Sequence, residues 1–164
     1  MRGFKSIGVM AITVLAIGAL GASTALAATK TVSVSARQPW TDTGIALNAG
    51  EKVEIKGKGT INWGGNSLTL SGPVGFTFGQ ALRGDEPNTC GLLAYTAEKP
   101  GEEFILKGAN CYSMLFRIGA SGKPFATGKK ISFAAPLAGE LFLGVNDQFF
   151  GDNSGAWTAK ITTS

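Results

Sequence analysis

The chain has 164 residues, with 15 Lys and Arg against 11 Asp and Glu, no histidine, two cysteines and 24 glycines. The lack of histidine excludes a His-dependent hydrolase triad, a histidine general base and any zinc site with imidazole ligands, and two cysteines cannot build a four-thiolate zinc centre. What is left is binding, or chemistry run by carboxylates, amides, hydroxyls and carbonyls, and among metals such oxygen donors favour calcium.

Residues 1–27 read as a secretory signal. Arg2 and Lys5 form a basic start, Ile7 to Leu20 an apolar stretch, and Ala25-Leu26-Ala27 a small-x-small cleavage site. The apolar run is short and rich in Gly and Ala, and no second one follows, so no membrane span is expected after cleavage. Residues 28–164 are then a single domain, secreted or periplasmic. Losing Arg2 and Lys5 lowers the formal charge from +4 to +2. Lys56, Lys58, Lys129 and Lys130 read as solvated strand or turn positions, so no nucleic-acid partner is expected. In an oxidising compartment Cys90 and Cys111 are expected to pair, closing a loop of about 20 residues worth roughly 3 kcal/mol. Two free thiols are the other reading, although no His or Cys-x-x-Cys arrangement activates either.

Short strands follow in chain order. Residues 31–36 alternate, as do residues 52–56, with Val53 and Ile55 on one face. Residues 92–95, 104–107, 114–118, 131–134, 141–145 and 157–161 continue the series. Turn chemistry separates them at residues 48–50, 64–66, 100–101 and 120–122. No stretch predicts a helix, and the pattern predicts an all-β, antiparallel β-sandwich. Trp40 and Trp157 sit in strand-like contexts and are assigned to the core. The longest loop-like stretch, residues 64–89, is of a length that is often functional.

One segment concentrates oxygen donors. Asn146, Asp147, Asp152 and Asn153 fall within eight positions between two apolar strands. Calcium takes about six to eight oxygens from carboxylates, amides and carbonyls. Two carboxylates nearly neutralise the ion, and Gly151 and Gly155 let the loop curl. The spacing does not match an EF-hand. A polar hairpin is the alternative, because Asp, Asn, Ser and Gly are also the usual turn residues.

The run Leu143-Gly144-Val145-Asn146-Asp147, followed by Gly151-Asp152-Asn153-Ser154-Gly155, resembles the PA-IL-like (LecA-like) galactophilic lectin family. Gly44-Ile45, Gly50-Glu51-Lys52-Val53-Glu54-Ile55, the segment from Cys111 through Leu115-Phe116-Arg117-Ile118-Gly119, and the closing Trp157-Thr158-Ala159-Lys160-Ile161 extend the resemblance over nearly all of residues 28–164. It implies a jelly-roll, galactose-binding-like sandwich with one Ca2+ at its edge, whose coordination two sugar hydroxyls complete. Carried over, Asp147, Asp152 and Asn153 supply side-chain oxygens, and Trp63 and Phe149 backbone carbonyls. Asp147, Gln148, Asp152 and Asn153 meet the sugar, joined by Glu86 and Asn88. The resemblance also implies a homo-oligomer.

Two departures stand out. The loop is two residues shorter than the family pattern, and Phe149 stands where the family has threonine. The family's His-Pro-Asp-Gln stretch finds its nearest match in Glu86-Pro87-Asn88-Thr89, so galactose specificity is not inherited with the calcium. Trp63, Phe149 and Phe150 are aromatic flanks for a sugar face, with core packing the equal reading for Phe150.

The expected function is therefore a secreted, calcium-dependent carbohydrate-binding protein without catalysis, its partner a carbohydrate or glycoconjugate carrying galactose or a related sugar. The alternative is a structural or protein-interaction sandwich that keeps a stabilising calcium or none. A glycosidase finds little support: Glu102 and Glu103 are adjacent and would point to opposite strand faces, and Asp85 meets Asp147 only if the fold brings them together.

Overall fold

Strand pairing between residues far apart in sequence carries the fold. The computed structural model describes residues 27–65, 69–75 and 103–164, and none of these residues is helical. Ten strands lie among them: β1 (Ala28–Ser35), β2 (Trp40–Leu47), β3 (Lys52–Lys58), β4 (Ile61–Asn62), β5 (Leu70–Ser71), β6 (Met114–Ile118), β7 (Phe125–Ala126), β8 (Lys130–Ala134), β9 (Gly139–Val145) and β10 (Ser154–Thr163). One sheet runs β5-β4-β10-β3-β8, with β1 along the other edge of β10, and the second runs β2-β9-β6-β7. Every pairing is antiparallel.

Period-two alternation explains how the sheets meet. Val53 and Ile55 of β3 and Trp157, Ala159 and Ile161 of β10 turn inward. There they meet Met114, Phe116 and Ile118 of β6 and Leu141, Leu143 and Val145 of β9. Fully burying each large side chain stabilises the fold by about 1.5–3 kcal/mol. Trp157 is completely buried, and its Nε1 donates to the Ser71 carbonyl at 3.2 Å.

Two irregularities come from glycine. β3 and β4 keep one continuous register along β10, from Val53 opposite Thr163 to Asn62 opposite Ser154. They are one strand interrupted where Gly59 takes φ 95. In β2 the register to β9 shifts between Asp42 and Ala46, where Gly44 has φ 59 and its N–H donates to Asp42 Oδ1 at 2.8 Å. That bulge hides β2 from a reading by alternation.

Two expectations are corrected. Residues 104–107 form bends and a turn rather than a strand. Phe104 is buried against Cys111 and Tyr112, while the Leu106 N–H and C=O are taken by the Asn146 side chain instead of a neighbouring strand. Trp40 is only half-buried. Its ring lies over Gly144, where an added Cβ would come within 2.7 Å of it, and the Arg117 guanidinium sits 4.2 Å from the ring centre. Arg117 alternates with inward-facing Phe116 and Ile118, so Trp40 covers the outer face of its sheet.

Residues 1–26 of the expected signal, the expected strand at 92–95, the turn at 100–101 and most of the 64–89 stretch lie outside the described residues. Among the described residues no helix is long and apolar enough to cross a membrane.

Candidate functional site

β9 ends with Val145 in the core, and the chain then leaves the sheet through Asn146 and Asp147, both buried. Asn146 works as a clamp. Its Oδ1 accepts from the Leu106 N–H at 2.8 Å, and its Nδ2 donates to the carbonyls of Leu106 at 3.0 Å and Asn110 at 3.1 Å. Its own carbonyl accepts from the Tyr112 N–H at 2.7 Å. The 106–112 segment is thereby tied to the start of the oxygen-rich loop.

Asp147 is only 3% exposed. Its Oδ1 accepts from the N–H groups of Gln148 at 2.6 Å and Phe149 at 3.1 Å, and its Oδ2 accepts from Asn153 Nδ2 at 2.6 Å. Burial pushes its carboxyl above the usual carboxylate range. The hydrogen bonds from Asn153 and the two backbone amides act against that rise, and the nearby charge of Asp152 adds to it.

Asn153 is fully buried and joins three parts of the chain. Its Nδ2 faces two acceptors, Asp147 Oδ2 and the Ala36 carbonyl at 2.9 Å, which fixes the orientation of the amide. Its Oδ1 is consequently buried with no hydrogen-bond partner among the described residues. An unsatisfied buried acceptor costs about 1–3 kcal/mol. Gln148 Oε1 is in the same condition. Asp152 is exposed, and Phe149, also exposed, lays its ring over Gly151. Phe150 packs partly buried against the core.

Aromatic residues stand beside these oxygens. The Trp63 and Tyr112 rings stack in parallel at 3.9 Å with an interplanar angle of 3°, and Phe104 meets Tyr112 edge-on at 5.8 Å. Trp63 is presented by a turn in which Asn62 Oδ1 accepts from the N–H groups of Gly64 and Gly65 and from Thr69 Oγ1. Burial, and then the charges of Asp147 and Asp152, push the Tyr112 phenol far above its usual range. Tyr112 also has φ 55, whereas the other described residues with positive φ are glycines. Left-handed backbone at a bulky residue costs of order 1–3 kcal/mol, and an aromatic stack returns about 0.5–1.5 kcal/mol.

The structure thus gathers Asp147, Asp152, Asn153 and, through Tyr112, Trp63. Phe149 joins by its N–H. Glu86, Asn88 and Cys90 lie outside the described residues, as do Asp85 and Glu102. Cys111 is buried and is not a free thiol. Sequence reasoning missed Tyr112 and the clamping role of Asn146. Among the described residues no group of three or more His, Cys, Asp or Glu side chains gathers. A cation in this loop would therefore draw on two carboxylates, amide oxygens and carbonyls, a donor set suited to a hard ion.

No protein-family model matches the chain, and no curated protein matches it. Among solved structures it is similar to "EclA N-terminal domain; PllA-like lectin", with 22% sequence identity over 82% of this chain and 95% of that one and a TM-score of 0.56. That likeness shows a shared antiparallel β-sandwich.

Proposed function

We propose that this chain is a secreted or periplasmic, calcium-dependent carbohydrate-binding protein of lectin type, without catalysis. The single observation that carries the reading is Asn153 Oδ1, an oxygen held in a buried site with nothing to accept from, beside a buried carboxylate. Such an atom calls for a partner that the described residues do not supply, an ordered water or an ion, and the adjoining Asp147 carboxylate favours the ion. Asp147, Asp152 and Asn153 would hold the ion by side-chain oxygens, with Trp63 and Phe149 contributing carbonyls. Bound calcium supplies a Lewis-acid centre for two vicinal sugar hydroxyls. Around it Asp147 and Asp152 accept from those hydroxyls, and Gln148 offers the acceptor Oε1. The lectin name of the similar structure supports the sugar. The ligand is galactose or a related sugar, and because Glu86 and Asn88 stand in place of the family's histidine-bearing stretch, galactose itself is not the required choice. A Cys90–Cys111 disulfide and a homo-oligomer complete the proposal.

The test is a titration of the chain with a panel of monosaccharides in calcium and again in EDTA. Heat of binding for at least one sugar in calcium, lost in EDTA, is expected. Binding unchanged in EDTA contradicts the mechanism. One observation favours a second reading, a structural or protein-interaction sandwich with a stabilising ion or none: Asp147 already receives three donors and acts as a tie within the loop. A glycan array that stays blank in calcium, together with a calcium-raised melting temperature, would select it.

A further inference from the structure

We infer that Tyr112 is a ligand-contacting residue of the proposed sugar site, its phenol hydroxyl donating a hydrogen bond to a third hydroxyl of the bound sugar. The inference rests on the carbohydrate reading above and adds to it a residue that neither composition nor motif singled out.

Backbone strain is the first ground. Tyr112 holds φ 55 among described positive-φ residues that are otherwise all glycine, so a glycine at this position would hold the same backbone without strain. A bulky side chain persists in such a conformation where its surroundings over-determine it, and such positions cluster at ligand sites. The surroundings here do so. The Tyr112 N–H donates to the Asn146 carbonyl at 2.7 Å, and its own carbonyl accepts from Ser71 Oγ at 3.1 Å. Its ring is fixed by the parallel Trp63 ring and the edge of Phe104.

The hydroxyl is the second ground. Stacking on Trp63 and contact with Phe104 ask only for a ring, and phenylalanine would supply both. Among the described residues no hydrogen bond engages Tyr112 Oη. A phenol carries its proton at neutral pH and so acts as a donor, and the bond from the Tyr112 N–H to the Asn146 carbonyl sets the residue beside Asp147. Asp147 already takes three donors, from Gln148, Phe149 and Asn153, which leaves its remaining capacity on Oδ2. A rigid donor without an acceptor among the described residues, near carboxylates that are acceptors only, fits a polyhydroxylated ligand whose ring hydroxyls both donate and accept. Sites built to read one hydroxyl reject the analogue that lacks it.

The experiment compares the wild-type chain with Tyr112→Phe by calorimetric titration, first with calcium alone and then with methyl glycosides and their deoxy analogues. Tyr112→Phe is expected to bind calcium with wild-type affinity and melt at the wild-type temperature, while its affinity for the preferred glycoside falls about tenfold. One deoxy analogue, lacking the contacted hydroxyl, should bind both proteins equally. A purely structural role predicts a shifted melting temperature with glycoside affinity unchanged. Equal glycoside affinity of the two proteins overturns the inference and leaves the carbohydrate reading standing. A wild-type chain that binds none of the glycosides overturns both.

Discussion

Two regions of the sandwich differ in kind. Around Asp147 the chain gathers polar groups and aims them: three donors on one carboxylate, an amide fixed between two acceptors, and two buried oxygens, of Asn153 and Gln148, left over among the described residues. Along β7 and β8 it opens instead a cleft of about 560 Å³ between Phe116, Ile118, Phe125, Ile131, Phe133 and Leu137. There Phe116 stacks on Phe133 at 4.5 Å and on Phe125 at 5.3 Å, and among the described residues Lys123 is the one charged side chain in the lining, 5.8 Å from the Phe125 ring centre. The cleft is roomy and almost without direction, whereas the polar region is defined by where its atoms point. On the proposed carbohydrate reading, a sugar is read by directed hydrogen bonds, which the polar region offers and the cleft does not.

Breaking the contrast on its apolar side should give the largest effect. Phe116→Ala removes the middle ring of the stack and is expected to cost about 3–5 kcal/mol in chemical denaturation, with calcium affinity unchanged. Lost calcium affinity in the folded variant would show that the two regions are coupled. On the polar side, Asp147→Ala leaves the N–H groups of Gln148 and Phe149 and the Asn153 amide short of an acceptor. A cost of about 1–3 kcal/mol and loss of calcium binding are expected; retained calcium binding would make the carboxylate a tie only.

Lys123→Ala sharpens the comparison from the opposite direction. Stability should change by no more than about 0.5 kcal/mol, and sugar binding should be untouched. The smallest effect is reserved for Glu54, which bridges Lys56 and Lys130, residues directly opposed on β3 and β8. Lys130 and then Lys56 hold its carboxyl down, from 4.5 to about 2. Its folded value lies below the unfolded one, so its contribution is complete above about pH 4.5 and disappears as the pH falls through about 2. Glu54 is solvent-facing, so Glu54→Gln should lower the melting temperature only slightly at pH 7, and the two proteins should converge in acid.

Much of this was legible in advance, and the gaps have physical causes. Residues 52–56 and 157–161 alternate because one face is buried, residues 114–118, 131–134 and 141–145 are short apolar runs between turns, and all five lie within β3, β10, β6, β8 and β9. β2 was obscured because the Gly44 bulge shifts its register midway. Phe104, Ile105 and Leu106 look like a strand, yet their polar backbone partner is a side chain forty residues away, which local pattern does not encode. Asp147 and Asn153 stood out by composition, since few other segments carry so many oxygens. Tyr112 did not, because a left-handed φ at a tyrosine leaves no mark in the sequence between Cys111 and Ser113.

The central claim is that Asn153 Oδ1 is a ligand oxygen waiting for calcium. A crystal structure of the chain grown in calcium, with the ion located by its anomalous signal, tests it most directly. The account predicts one ion bonded to Asn153 Oδ1 together with oxygens of Asp147 and Asp152. An ion bound elsewhere, with Asn153 Oδ1 hydrogen-bonded to an ordered water in this loop, would contradict it.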